Sequence, residues 1–359
     1  MNKSFNSLGL MSGTSGDGID ASVIETDGKT QYKVLKNQFF EYPFSITRQI
    51  HKLKEEITNP NELLTHSKDI ELIAEQITDY HANAANEMIH KHDIDLIGFH
   101  GQTIYHNSDQ KISKQIGSGE KLSKITKKTV VCNFRDNDLN NGGEGAPLAP
   151  IFHKLLVKQN KIEIPVSIIN IGGISNITSI NNNFSMYSRD IGPGNCLIDK
   201  WIRLKTKKKY DDKGSIARSG TIDKFILNQS LDNFYNNEIS KKKSFDTSDF
   251  DLSFVRGLTL ENGAATLTEF TADICSKKIT SGNIYVSGGG RKNSFLIERL
   301  EQKTNSEITL IDEIGIDGDF IESQAFAYLA VRSILKLPIS FPETTGCSEP
   351  CSGGKIFLK

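Results

Sequence analysis

Apolar and polar positions alternate in short runs at the start of the chain and then recur at helical spacing. The alternation predicts strands at residues 8–11, 19–24 and 32–40, separated by turn residues Gly13 to Gly18 and Asp27-Gly28. The protein thus opens on a glycine-rich hairpin. Leu63, Ile70, Ile73, Ile77, Ala84 and Met88 then mark one face of a helix expected over residues 62–92. Apolar strands follow at 96–99 and 129–134, and after them comes Asn141-Gly142-Gly143-Glu144-Gly145-Ala146-Pro147.

The opening order of signals returns about 160 residues later. A strand at 166–171 leads through Gly172-Gly173 to a strand at 175–180, an Asn181-Asn182-Asn183 turn and a strand at 184–190. Helices are predicted at 195–204, 221–229 and 262–278, then a strand at 283–287, the turn Gly288-Gly289-Gly290 and a helix at 293–304. Two three-stranded units, each followed by helices and strands, make this an α/β chain. The repeat resembles the two-lobed actin-like ATPase fold, a duplicated ribonuclease H-like arrangement with its nucleotide cleft between the lobes. One lobe is expected over 1–140 and the other over 141–339, with the tail 340–359 packing back on the first.

Composition narrows the classes of function. The 359 residues carry 43 basic and 44 acidic side chains, so no global field favours nucleic acid or an anionic membrane. Phosphate recognition has to be local. No apolar run approaches the roughly 18 residues of a spanning helix, and the N-terminus leads into a strand without a signal-peptide pattern, so a cytoplasmic protein is expected. The lysine runs 205–209 and 241–243 read as solvated surface. Five cysteines in no paired pattern fit reduced thiols. Cys347 and Cys351 sit close together, but with no histidine or third cysteine nearby they read as two thiols in a Gly- and Pro-rich tail.

Candidate chemistry sits at the strand ends. In Ser12-Gly13-Thr14-Ser15-Gly16-Asp17-Gly18-Ile19-Asp20 the glycines free the backbone to wrap phosphates. Thr14 and Ser15 offer hydroxyl donors there, and Asp17 or Asp20 offers oxygen to hydrated magnesium. A generic polar turn would read similarly. Neither a Walker sequence nor GxGxxG occurs, which separates this site from P-loop and Rossmann proteins. Gly172, Gly173, Gly288, Gly289 and Gly290, with Asn293 beyond them, extend the nucleotide-binding candidates. Asp190, before Ile191-Gly192-Pro193-Gly194-Asn195, is a candidate general base or else the cap of the following helix. His100, Gln102, Arg135, Asp138 and Glu322 are substrate-binding candidates. Each has a structural alternative: Arg135 in an ion pair, His100 in the core, Glu322 against a helix dipole.

Ordered blocks run almost the length of the chain: Gly9-Leu10-Met11-Ser12-Gly13-Thr14-Ser15, Gly101-Gln102-Thr103, Gly143-Glu144-Gly145-Ala146-Pro147-Leu148, Asn170-Ile171-Gly172-Gly173-Ile174-Ser175-Asn176-Ile177, Asp190 with Gly192-Pro193-Gly194-Asn195, Gly263-Ala264-Ala265-Thr266-Leu267-Thr268, Gly288-Gly289-Gly290 and Ala325-Phe326-Ala327. Together they resemble the anhydro-N-acetylmuramic acid kinases. The resemblance implies ATP and Mg2+ as cofactors and an anhydro-muramic sugar as substrate. It implies ring opening by water coupled to phosphorylation of O6, with Asp190 as the base, in a homodimer. An ordinary hydroxyl-directed sugar kinase, or an ATP-gated chaperone or scaffold of the same fold, is the alternative. The chain departs from the family at Gly16, where a larger apolar residue is usual, at Asn133 for aspartate and at Glu144 for glutamine. A looser hairpin turn and an added negative charge near the substrate are the expected consequences.

Overall fold

The computed structural model describes residues 3–241, 244–279 and 282–359. They fall into two compact units: the first runs to Ile162 and resumes at Phe320, and the second is Glu163–Asp319.

In the first unit, β1 (Phe5–Ser12), β2 (Gly18–Thr26) and β3 (Tyr32–Glu41) form an antiparallel meander. β4 (Leu96–Asn107) lies parallel to β1, β5 (Ile112–Ile116) pairs with the far half of β4, and β6 (Thr129–Cys132) lies parallel to β4. Leu8 and Leu10 of β1 and Ile19, Ala21 and Val23 of β2 point into a core shared with Ile70, Ile73, Ile77 and Met88. The strand period of two turns the intervening residues to the opposite face, where the helix Ile321–Ile334 packs. Small residues set that approach: a Cβ on Gly9 would lie 1.8 Å from Ser323 O, and one on Gly98 2.2 Å from Phe326 O.

In the second unit, β7 (Val166–Ile171), β8 (Ile174–Ile180) and β9 (Met186–Pro193) form another antiparallel meander. β10 (Asn283–Ser287) runs parallel to β7, and β11 (Ile308–Leu310) parallel to β10. The orders β3-β2-β1-β4-β6 and β9-β8-β7-β10-β11 match strand for strand. The fold is therefore the duplicated ribonuclease H-like α/β fold of actin-like proteins.

Several elements differ from the sequence expectation for local reasons. The helix expected at 62–92 is two helices, Pro60–Thr65 and Ser67–Lys91. Asn59 and Glu62 form a capping box that starts the first, and His66 leaves helical geometry between them. An unexpected helix, Phe44–Glu56, buries Ile46, Ile50 and Leu53. β4 extends to Asn107, so His100 and Gln102 lie inside a strand and not after one. β9 starts at Met186 because Phe184 is left-handed, φ 60°, in a turn bonded to Asn181. Asp223 accepts from Phe225 N and Ile226 N, which moves the helix expected at 221–229 to Lys224–Asn236.

The units divide at 162/163 and 319/320, where the sequence placed divides near 140 and 339. The helix Pro150–Gln159 stays with the first unit, since Gln159 exchanges two 2.8 Å bonds with the Tyr32 backbone and Phe152 packs on Tyr328. The chain's last strand, Lys355–Phe357, pairs with β6. Lys205, Lys207, Lys208 and Lys209 are exposed, while Lys242 and Lys243 lie outside the described residues. Among the described residues no helix is long and apolar enough to cross a membrane.

Candidate active site

Three glycine segments of the second unit meet at the ends of β7, β9 and β10. The amides of Gly194, Asn195 and Cys196 donate to the carbonyls of Gly173 (2.9 Å), Gly172 (2.8 Å) and Gly173 (3.2 Å). A Cβ on Gly194 would lie 2.2 Å from Gly172 O, and one on Gly290 2.1 Å from Ile171 Cγ2. Gly288 is left-handed at φ 77° and presses on Asn170, a position that only glycine fills without strain. Asn293 caps the helix Ser294–Thr304, accepting from Leu296 N at 3.1 Å, so its side-chain oxygen is engaged within the protein. Arg291 beside it is buried. Burial opposes its charge, but Asp312 (Nε to Oδ2, 2.6 Å) and Asp319 (Nη1 to Oδ1, 2.6 Å) outweigh that and hold the guanidinium protonated.

Asp190 stands on β9 opposite Asn176, three residues before the strand's end, with 7% of its surface exposed. Its Oδ2 accepts from Phe245 N at 2.7 Å and from Ser244 Oγ at 3.2 Å. The helix Cys196–Lys205 starts without a side-chain cap, so Asp190 is not its N-cap. Two donors on one oxygen fix the carboxylate's direction. Ser244 and Phe245 are residues that sequence reasoning missed. They follow a lysine run in an irregular stretch and carry neither glycine nor periodic pattern.

The first unit supplies a second cluster. Gly16 has φ 60° and its amide closes the turn on Gly13 O at 3.2 Å, while Tyr42 N donates to Asp17 O at 2.8 Å. Ser15 Oγ donates to Asp17 Oδ1 at 2.5 Å, and Lys54 Nζ reaches Thr14 O at 3.1 Å. Gln102 is fully buried beneath this turn. Its Nε2 donates to Gly13 O at 2.9 Å, and its Oε1 lies 2.7 Å from Ser12 Oγ. The structure places Gln102 as a brace of the hairpin. Burial pushes the Tyr42 phenol up, and the carboxylates of Asp17 and Asp20 add to the shift.

Gly16 therefore gives a closed turn where a loose one was expected. A Cβ there would meet Ile50 Cγ2 at 3.0 Å on a backbone that L side chains avoid. Gly16→Ala is expected to lower stability by about 1–2 kcal/mol, read as a lower denaturant midpoint at unchanged slope.

His100 and Arg135 form a pair. His100 Nδ1 donates to Gly101 O at 2.8 Å, leaving Nε2 to accept from Arg135 Nη2 at 3.0 Å. Burial first, then the Arg135 charge, holds the His100 pKa well below the usual imidazole range, so the ring is neutral. Arg135 also donates to Gly145 O at 3.2 Å, which helps to aim the guanidinium. Asp138 is 1% exposed and accepts from Gly145 N (2.7 Å) and Thr345 Oγ1 (2.5 Å), a clamp on the glycine passage and not an open contact surface. Glu322 lies, partly buried, in the first turn of the helix Ile321–Ile334. Glu144 is also partly buried, and its amide donates to Thr345 O at 2.8 Å.

A family model described as anhydro-N-acetylmuramic acid kinase matches residues 5–359. A curated relative of that name from Pelagibacter ubique (strain HTCC1062) is 50% identical, covering 99% of each chain. The protein of the same name from Zymomonas mobilis subsp. mobilis is 38% identical over 97% of this chain and 98% of its own. That from Brucella canis is 35% identical over 97% of each. With its fold, its glycine segments and these full-length matches, the chain belongs to the anhydro-N-acetylmuramic acid kinase family.

Proposed function

We propose that this chain converts 1,6-anhydro-N-acetylmuramic acid, ATP and water to N-acetylmuramic acid 6-phosphate and ADP in the recycling of cell-wall peptidoglycan. The observation that supports it most is the fixed carboxylate of Asp190 in a segment matching the family's. Asp190 takes a proton from water as the water oxygen bonds to C1. The C1–O6 bond breaks, O6 bonds to the γ-phosphorus, and the bond to the β-phosphate oxygen breaks. Asp190 later releases its proton to solvent.

Alignment and charge stabilisation carry such a reaction, since the protein has little covalent work to do. Thr14, Ser15 and the backbone of Gly13 to Ile19, with Gly172, Gly173 and Gly288 to Gly290, would receive the nucleotide phosphates. Arg135, aimed by neutral His100, suits the lactyl carboxylate. Glu322 is the remaining side-chain candidate for the sugar, while Gln102 and Asp138 support the loops around it. Magnesium takes hard oxygen donors and keeps several waters, so the carboxylates of Asp17 and Asp20 fit it. When bound it neutralises charge on the phosphates. A cytoplasmic homodimer belongs to the same reading.

Oxygen-18 water tests the coupling. With ATP, Mg2+ and the anhydro sugar, label is expected at sugar C1 in the phosphorylated product. A product left cyclic would point to an ordinary hydroxyl-directed kinase, and label only in free phosphate would point to a simple ATPase.

A further inference from the structure

The tail cysteines gain a third partner that the sequence does not place near them. Asp138, Cys347 and Cys351 are all buried, and one ligand atom from each lies within 4.8 Å of the others. Cys347 Sγ faces Glu349 O at 3.2 Å, and Cys351 Sγ lies 3.0 Å from Ser340 Oγ. Asp138 brings a second, independent observation. This 1%-exposed carboxylate is bonded by a backbone amide and a hydroxyl, and no cationic side chain bonds to it among the described residues. A buried anion among neutral partners is the setting that a cation completes.

We propose that Asp138, Cys347 and Cys351 form a binding site for a thiophilic divalent cation, zinc being the ion that suits two sulfurs and one oxygen. Tetrahedral zinc, with bonds of about 2.3 Å to sulfur and 2.0–2.2 Å to oxygen, needs donors about 3.5–3.8 Å apart, so from separations within 4.8 Å the three atoms have at most about 1.3 Å to close. A water or a neighbouring hydroxyl fills the fourth position. Binding releases the two thiol protons, so the net charge of the three side chains plus ion equals that of the ionised carboxylate with two neutral thiols. No additional charge is buried.

The ion would fasten a seam that already exists. Ser348 N donates to Asn141 O (3.0 Å), Glu144 N to Thr345 O (2.8 Å) and Asn137 Nδ2 to Ser352 O (2.5 Å). The clip would therefore lock the glycine passage whose Gly145 carbonyl holds Arg135.

The test uses the full-length protein, reduced and stripped with a chelator. Added Co2+ is expected to give thiolate-to-cobalt charge-transfer absorption and the strong visible bands of a tetrahedral site, and one equivalent of Zn2+ should abolish both. Zinc at about 100 times its Kd should raise the folding equilibrium constant about 100-fold. Cys347→Ala should cut the charge-transfer intensity by about half, and the Cys347→Ala/Cys351→Ala protein should lose it and the zinc-dependent stabilisation. Weak octahedral absorption in the wild type, equal zinc retention in the double variant, or a Cys347–Cys351 disulfide that survives reduction would each overturn the site. None of these readouts depends on kinase activity.

Discussion

Asp190→Asn is expected to fold as the wild type does and to lose turnover by about 100- to 10,000-fold, the range that a general base contributes. Asparagine has nearly the same shape, and its carbonyl oxygen can still accept from Phe245 N and Ser244 Oγ. What disappears is the capacity to take a proton. A loss confined to proton transfer should appear in kcat, with KM for ATP and for the sugar changed little. Stability should fall only by the difference between charged and neutral hydrogen bonds, about 1 kcal/mol. Trp201, the chain's one tryptophan, is buried in the same unit and reports folding there by fluorescence. A folded Asp190→Asn enzyme that keeps a tenth of the wild-type rate would remove Asp190 from the base role. Ser244→Ala separates proton transfer from aim: the carboxylate remains with one donor fewer, so a smaller loss in kcat is expected, with the acidic limb of the pH profile moved upward.

Both meanders were legible because the two sheets repeat one order of alternating strands and glycine turns. Asp190 was legible as a carboxylate followed by Gly192-Pro193-Gly194, although β9 runs on to Pro193 and does not end at residue 190 as expected. Its donors were not. Ser244 and Phe245 reach it from 54 and 55 residues away, and no local pattern encodes a contact of that span. The division into units was misplaced for the same kind of reason. The helix Ile321–Ile334 follows the second sheet in sequence but packs on the first, and Gly9 and Gly98, where it comes closest, read as ordinary strand glycines until the helix lies against them. Gln102 was recognised as significant, yet its buried brace to Ser12 and Gly13 depends on β4 running on past Phe99. The tail thiols lacked a visible partner because Asp138 lies more than two hundred residues earlier in the chain.

The first unit is expected to be the acid-labile half of the molecule. All eight histidines precede Glu163 and so belong to it, and the second unit has none. Burial lowers the pKa of His81 to about 4 and that of His153 to about 4, and burial together with Arg135 holds His100 well below its usual value. His81 cannot escape by sharing a proton outward. Its Nδ1 is committed to Ile77 O at 2.8 Å, its Nε2 is buried without a partner, and its ring packs on Phe99. The folded pKa lies below the unfolded value of about 6.5, so below that pH the unfolded chain binds more protons. The stability that neutral burial carries is therefore complete above about pH 6.5, falls as pH drops and levels off near pH 4. At pH 5 the loss comes to about 2 kcal/mol for each of His81 and His153, a large share of a typical domain's 5–15 kcal/mol. Pulse proteolysis in urea at pH 7 and pH 5 should show cleavage sites within residues 3–162 appearing at much lower urea in acid, while the Trp201 transition of the second unit moves less. His81→Gln, which cannot titrate, should remove about one proton from the pH slope of the first unit whatever its effect on absolute stability. An unchanged slope in that variant, or a Trp201 transition that moves as far as the first unit's, would rule the histidines out as the cause.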